Sequence, residues 1–281
     1  MLPNGLPVAA PFDESFLEFL PTFFTRLERF SWSHLWFVAY LFTLTLVYLP
    51  VFAWWLRRRD RVTAAPAWAT YLPLVPLVLI QLTMRERWPG ISNLYDDWAN
   101  VAYYSVYLLG GFVLASQPAL EARVDREWPR SFAIGAGATV LLLLGVLGDV
   151  PSPAVLLAGS AVAGCCFVVA FLGIARRVAV TTSPVLEYLS ESAFPVYVLH
   201  QSAIVLPGWF VVQLDAGIAT KFILLLAIAV VLTLSTYHWL VRPFAIPRRL
   251  LGTKPATAHA RAERVPPSSM RFPLTPRMPW R

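Results

Sequence analysis

The chain has 281 residues, of which 57% are hydrophobic and 14% charged, with a net charge of +7 and a mean hydropathy of +0.60. A soluble domain carries about a quarter charged residues, so the composition excludes a soluble globular fold and indicates an integral membrane protein in contact with membrane lipid. The basic excess falls in loops and a tail rather than in a patch interleaved with aromatics, and gives no reason to expect a nucleic-acid partner.

Residues 1–33 contain Asp13, Glu14 and Glu18 but no basic n-region and no small-residue cleavage pattern, so they do not read as a secretory signal. Within them "FLEFLPTFFTRLERF" interleaves Phe and Leu with charge and reads as an interfacial segment on the extracytoplasmic face, a disordered leader being the competing reading. Seven apolar runs follow, near His34–Trp55, Ala65–Met84, Trp98–Gln117, Ser131–Gly148, Pro153–Ala175, Ala193–Leu214 and Gly217–Val241. A helix needs about 20 apolar residues to cross the hydrocarbon core. No strand-like alternation recurs, so the expected fold is all-α, a polytopic membrane bundle of about seven transmembrane helices occupying residues 34–241. Residues 242–281 are read as a basic, disordered tail, rich in Pro, Ala and Arg beyond Lys254.

Orientation follows from the basic residues. Arg57, Arg58, Arg59 and Arg61 follow the first run, Arg123, Arg126 and Arg130 the third, Arg176 and Arg177 the fifth, and the tail carries more. Arg26, Arg29, Arg85, Arg87 and Lys221 are the only Lys and Arg residues on the opposite side. The positive-inside rule then makes the C-terminus cytoplasmic and the N-terminus extracytoplasmic. An exported N-terminus without an exporting segment suggests a chain that begins part-way through a longer protein, or a split protein with an upstream half.

Chemistry-bearing residues are few. Cys165 and Cys166 are adjacent inside the fifth run and read as small packing residues. No metal-ligand spacing and no phosphate-cradling glycine loop occurs, so neither a metal nor a bound cofactor is expected. In the sixth run, Tyr197, His200, Gln201 and Ile204 follow i, i+3, i+4, i+7 spacing and share one helix face. With that helix starting near Ala193, His200 lies about 10 Å deep. A polar face at that depth is a functional site by default; a His–Gln hydrogen bond gluing helices together is the competing reading. At the other side, His34 and Trp36 open the first run, and Arg85, Glu86, Arg87, Asp96, Asp97 and Trp98 surround the loop between the second and third. Paired carboxylates beside aromatic rings suit a hydroxyl-rich ligand, against the alternative of a solvated interfacial cap. His238 beside Trp239 reads as an interface-anchoring pair.

Three stretches resemble a known family. "SHLWFVAYLFTLTLVYLPV" at Ser33–Val51, "RWPGISNLYDDWANVAYYSVYLLGGFVLA" at Arg87–Ala115 and "AFPVYVLHQSAIVL" at Ala193–Leu206 are similar to the membrane-bound acyltransferase 3 family, most of all its glucan-succinylating, OpgC-like branch. The resemblance implies the C-terminal part of a ten-helix bundle in a bacterial inner membrane. It also implies an O-acyltransferase that takes an acyl group such as acetyl or succinyl from acyl-CoA, its donor substrate, and passes it to an extracytoplasmic glycan or similar hydroxyl acceptor. Three further helices upstream would complete the ten. The family's signature, a basic residue followed after ten others by a histidine on its first helix, is absent from the membrane region; Arg248 and His259 have that spacing, but in the polar tail. Arg58 and Arg61 form an Arg-x-x-Arg pair at a position that does not match the family's own, so they are read as topological, with CoA phosphate binding as the lesser alternative.

Acyl transfer to a hydroxyl needs a base and an oxyanion donor. The sequence therefore nominates His200, Gln201 and His34 as catalytic, and Tyr197, Trp36, Arg85, Asp96, Asp97 and Trp98 as substrate-binding. A different class stays open: a transporter or flippase for a glycan or lipid-linked sugar, with His200 as a proton relay.

Overall fold

The computed structural model describes residues 33–58, 64–90, 94–148, 152–178 and 183–253, together with Ser15, Glu18, Pro21, Thr22 and Thr25. The described residues are mostly helical and contain no strand, as an all-α polytopic bundle requires. The helices are α1 (Trp36–Arg58), α2 (Leu74–Thr83), α3 (Trp98–Ser116), α4 (Pro118–Leu147), α5 (Pro153–Val178), α6 (Pro184–Val211), α7 (Ile218–Thr236) and α8 (Ala245–Leu250). Among the described residues six segments, against the seven expected, are long and apolar enough to cross a membrane: Ser33–Arg58, α3, α4, α5, α6 and Ile218–Val241. Of the leader, Ser15 and Glu18 form a reciprocal cap, the Glu18 carboxylate accepting from Ser15 N at 3.0 Å and Ser15 Oγ accepting from Glu18 N at 3.4 Å. The rest of the interfacial-segment reading lies outside the described residues.

The second apolar run departs from the expected single helix. It is a 3-10 turn at Ala67–Tyr71 followed by the short α2, because Pro66, Pro73 and Pro76 withhold backbone donors that a continuous helix would need. It nonetheless travels the length of α1. At its start, the Ala65 carbonyl accepts from Arg123 Nε and Nη2 at 3.0 and 2.6 Å, at the end of the bundle where Trp55 Nε1 donates to Ser116 Oγ. Just beyond its finish, Arg85 bonds Asn100 on the first turn of α3, at the end where Leu94 N donates to the Tyr40 hydroxyl of α1.

Two boundaries move. The fourth run, expected from Ser131, belongs to a helix that starts at Pro118 and passes through Arg123, Arg126 and Arg130. Its polar first half is held by α5, where Arg176 pairs with Asp125 at 2.9 Å and with Glu121 at 3.2 Å. The sixth starts at Pro184 rather than near Ala193.

The chain divides into two compact units, residues 1–176 and 177–281. In the first, Leu77 of α2 and Ala161 and Cys165 of α5 form a buried core, flanked by Leu74, Val78, Tyr103, Val106 and Tyr107. Small residues let α5 sit close: a Cβ on Gly173 would lie 2.4 Å from Trp128 Cβ on α4, closer than atoms can approach. Cys165 and Cys166 are free and buried, which suits the packing role read for them.

In the second unit, α6 and α7 pack along each other, and α7 ends in a π-helical turn, Tyr237–Val241. Arg242 to Thr253, read as the start of a disordered tail, carry α8 and the buried Arg248. The remainder of that tail reading, from Lys254 on, lies outside the described residues.

Candidate functional site

Two sets of polar side chains stand out, one in each unit. The first is built where α2 ends and α3 begins. Asp97 caps α3, its Oδ1 accepting from Asn100 N at 3.0 Å, which satisfies an otherwise orphaned helix donor. Its Oδ2 accepts from Asn100 Nδ2 at 2.8 Å, and Asn100 Oδ1 in turn accepts from Arg85 Nη2 at 3.0 Å. Arg85 Nε donates to Gln81 Oε1 at 2.7 Å, and Gln81 Nε2 donates to Ser160 Oγ at 3.4 Å. Asp97, Asn100 and Gln81 are buried and Arg85 half-buried. A continuous polar chain thus crosses from α3 through Arg85 to α2 and α5, and the low-dielectric setting strengthens each link.

Aromatic rings line the same end of the unit. Trp36 packs on Tyr104 with ring centroids 5.3 Å apart and on Tyr40 at 6.0 Å, and Tyr40 meets Tyr104 at 5.5 Å. The buried Tyr40 hydroxyl accepts from Leu94 N at 3.2 Å, and Leu94 holds φ 65°, a left-handed conformation unusual for a side chain of its size. Strained backbone of this kind persists where surrounding structure over-determines it.

The predicted residues of this end divide accordingly. Arg85 and Asp97 are joined through Asn100, and Trp36 belongs to the aromatic cluster. His34 is half-buried in the 3-10 turn Ser33–Leu35, two residues before Trp36. Asp96 and Trp98 are exposed, with Trp98 54% exposed. Gln81, Asn100 and Tyr40 were not nominated. Their signal was legible: Gln81 and Asn100 are amides inside apolar runs, which the rule for intramembrane polar residues marks as functional, and Tyr40 stands four residues after Trp36.

The opposite end of the unit holds a cavity of about 360 Å³ bordered by Trp54, Trp55, Arg58, Pro66 and Gln117. The Arg58 guanidinium lies over the Trp54 ring at 5.5 Å.

In the second unit, Tyr197 and His200 come together as their spacing predicts, with ring centroids 5.8 Å apart. His200 Nδ1 lies 2.6 Å from the Tyr197 carbonyl oxygen. A neutral imidazole that donates from Nδ1 carries its lone pair on Nε2. Gln201 is half-buried and its side chain makes no hydrogen bond among the described residues, so the alternative of a His–Gln bond between helices has no counterpart there. Ile204, on the same face, is 37% exposed. With α6 starting at Pro184, His200 stands about 24 Å along its axis at 1.5 Å per residue, well beyond the 10 Å expected from a start near Ala193.

Nearer the start of α6, Glu191 pairs with Arg248 at 2.9 Å, and Arg248 Nη1 donates to the Arg242 carbonyl. Arg242 lies over the Tyr188 ring at 5.6 Å, and Tyr188 meets the buried Tyr237 at 5.4 Å. His238 contacts Trp239 edge-on at 5.1 Å, and Trp239 is exposed. Among the described residues, no cluster of three or more His, Cys, Asp or Glu is placed to hold a metal.

The family model for the acyltransferase domain, acyltransferase 3, matches residues 4–238. The chain belongs to the acyltransferase 3 family. It is therefore a membrane acyltransferase in general character, with helices for a multi-pass placement. No curated protein and no solved structure matches the chain.

Proposed function

We propose that this acyltransferase 3 chain moves an acyl group, such as acetyl or succinyl, from acyl-CoA to a hydroxyl of an extracytoplasmic glycan, in the manner of the glucan-succinylating branch it resembles. The observation that carries the reading beyond the family is His200, a half-buried imidazole inside a membrane helix with Nδ1 set against the Tyr197 carbonyl. In a neutral imidazole that contact favours the tautomer with its lone pair on Nε2, which supports a reading of Nε2 as the base. In the reaction the acceptor hydroxyl oxygen bonds to the thioester carbonyl carbon and its proton passes to His200 Nε2. The carbon–sulfur bond then breaks, and the imidazolium returns the proton to the departing CoA thiolate. Gln201, whose amide N–H groups have no partner among the described residues, donates to the carbonyl oxygen as it gains charge. His34 is the second candidate base.

The acceptor side is the end carrying Trp36, Arg85, Asp96, Asp97 and Trp98, where aromatic faces and the exposed Asp96 carboxylate match a hydroxyl-rich ligand while the buried Asp97 holds Asn100 beside Arg85. The donor side is the basic end, where Arg58 borders the apolar cavity. The chain lies in a bacterial inner membrane with its C-terminus cytoplasmic.

The test is acyl transfer in membranes from labelled acyl-CoA, with His200→Ala, His200→Gln and His200→Asn compared for turnover and for melting in detergent. Loss of a general base costs about 10²–10⁴-fold in rate, so all three variants lose transfer at unchanged melting temperature. A His200→Gln variant that retains near-parental transfer shows that the histidine is structural.

A further inference from the structure

The guanidinium of Arg85 is held by three oxygens, none of them a carboxylate: Gln81 Oε1 at 2.7 Å from Nε, Asn100 Oδ1 at 3.0 Å from Nη2, and the Trp88 carbonyl at 3.5 Å from Nη1. A guanidinium has five N–H groups. One on Nη1 and one on Nη2 have no partner among the described residues, and Arg85 makes no ion pair there. The one buried carboxylate nearby, Asp97, has both oxygens engaged by Asn100 at the N-terminus of α3, where the helix dipole favours its charge. The charge of Arg85 is thus oriented by neutral groups and compensated by none of them.

Room has been made for this arrangement. Gly90 adopts φ +101°, and a Cβ there would stand 3.0 Å from Arg85 Nη1. A side chain at residue 90 would therefore be strained in its backbone and would crowd the guanidinium.

We infer that Arg85 is an anion-binding residue whose remaining pair of N–H groups takes a carboxylate of a bound ligand in a two-point contact. Guanidinium forks bind carboxylates in this bidentate way, and an arginine already fixed in position loses little rotamer entropy on doing so. Half-burial of Arg85 between α2 and α3 lowers the local dielectric and strengthens the contact over one in bulk water. The inference uses the placement of Arg85 at the acceptor end but not the transfer reaction, because it is read by binding in the absence of any acyl donor.

The experiment measures melting of the purified full chain in neutral detergent against increasing sodium acetate, sodium succinate and sodium phosphate, with sodium chloride at matched ionic strength as the baseline. A saturable rise in melting temperature with the carboxylates is expected, because a ligand that binds only the folded state stabilises it. Arg85→Gln abolishes the rise, and Arg85→Lys, which keeps the charge but loses the fork, weakens the apparent affinity at least tenfold. Arg87→Gln, which removes a neighbouring exposed arginine, leaves the rise unchanged. A parent with no saturable response overturns the proposal, as does an equal response in Arg85→Lys; the latter comparison decides the matter if Arg85→Gln fails to fold. Saturation by phosphate at lower concentration than by either carboxylate overturns the assignment of the ligand as a carboxylate.

Discussion

Glu191 of α6 and Arg248 of α8 form an ion pair at 2.9 Å with side chains only 9% and 7% exposed, and this pair ties residues beyond the last membrane span to the start of α6. Arg248 Nη1 also donates to the Arg242 carbonyl at 2.9 Å, so the side chain spans both ends of the turn that precedes α8. Removing one member of a buried pair leaves an uncompensated charge, which costs about 3–5 kcal/mol, whereas replacing both by apolar residues of similar size is often neutral. Glu191→Gln and Arg248→Met are each expected to lower the detergent melting temperature strongly, and the double variant Glu191→Met with Arg248→Met to recover most of the loss. Additive losses in the double variant would show that the two side chains are not coupled.

Gly173 is where α5 lies tight against Trp128 of α4. The obstructing atom is Trp128 Cβ, which is fixed to the backbone and cannot swing aside, so Gly173→Ala must push the helices apart. Overpacking of this kind costs about 1–3 kcal/mol. Gly137 lies on α4 where an added Cβ meets nothing within 4 Å, and Gly137→Ala is expected to be neutral or to stabilise through helix propensity. The pair of melting temperatures checks the crossing, and a Gly173→Ala protein as stable as the parent contradicts it.

Hydrophobic run length located the six segments long enough to cross a membrane, because the bilayer sets a minimum apolar length. It also counted Ala65–Met84 as a seventh helix, where prolines break the run into a 3-10 turn and the short α2. Charge was less informative about boundaries. Arg123, Arg126 and Arg130 looked like a loop, yet they lie on a helix that continues past the apolar stretch, its carboxylates Glu121 and Asp125 neutralised by Arg176 from a distant part of the chain. Such long-range pairing leaves no local pattern. The same limitation applied to the candidate site: proximity of Asp97 to Trp98 in sequence suggested a joint role, whereas the N-cap turns Asp97 inward and leaves Trp98 exposed. Tyr197 and His200 were legible because a helix places residues three apart on one face.

Asn100 is the link through which Arg85 and Asp97 communicate. Its side chain serves two charged groups at once, donating to Asp97 Oδ2 and accepting from Arg85 Nη2. Hydrogen bonds to charged groups contribute about 1.5–3 kcal/mol each. Asn100→Leu, similar in size but without either bond, is expected to destabilise the protein by roughly that amount per bond, while Ser105→Ala, which removes a hydroxyl bonded among the described residues only to the Val101 carbonyl one turn back on α3, costs less. Equal melting temperatures for the two variants would place the weight of the cluster elsewhere.

The last prediction concerns the broken segment at Ala67–Thr83. Its 3-10 turn and short α2 are less than a regular spanning helix, yet its flanks are bonded at opposite ends of α1, to Arg123 at Ala65 and to Asn100 at Arg85. A chain bonded in that way carries Arg58 and Arg87 to opposite faces of the bundle. With the basic residues after α1 held in the cytoplasm, Glu86 and Arg87 face outward. Single cysteines at the exposed positions Arg57 and Glu86, in a background with Cys165→Ser and Cys166→Ser, separate the possibilities. A membrane-impermeant maleimide applied to intact cells is expected to label the Glu86→Cys protein, and to label the Arg57→Cys protein only after permeabilisation. Labelling of both in intact cells, or of neither, would mean that the segment turns back without crossing, and that Arg85 and Asp97 share a face with the arginines that follow α1.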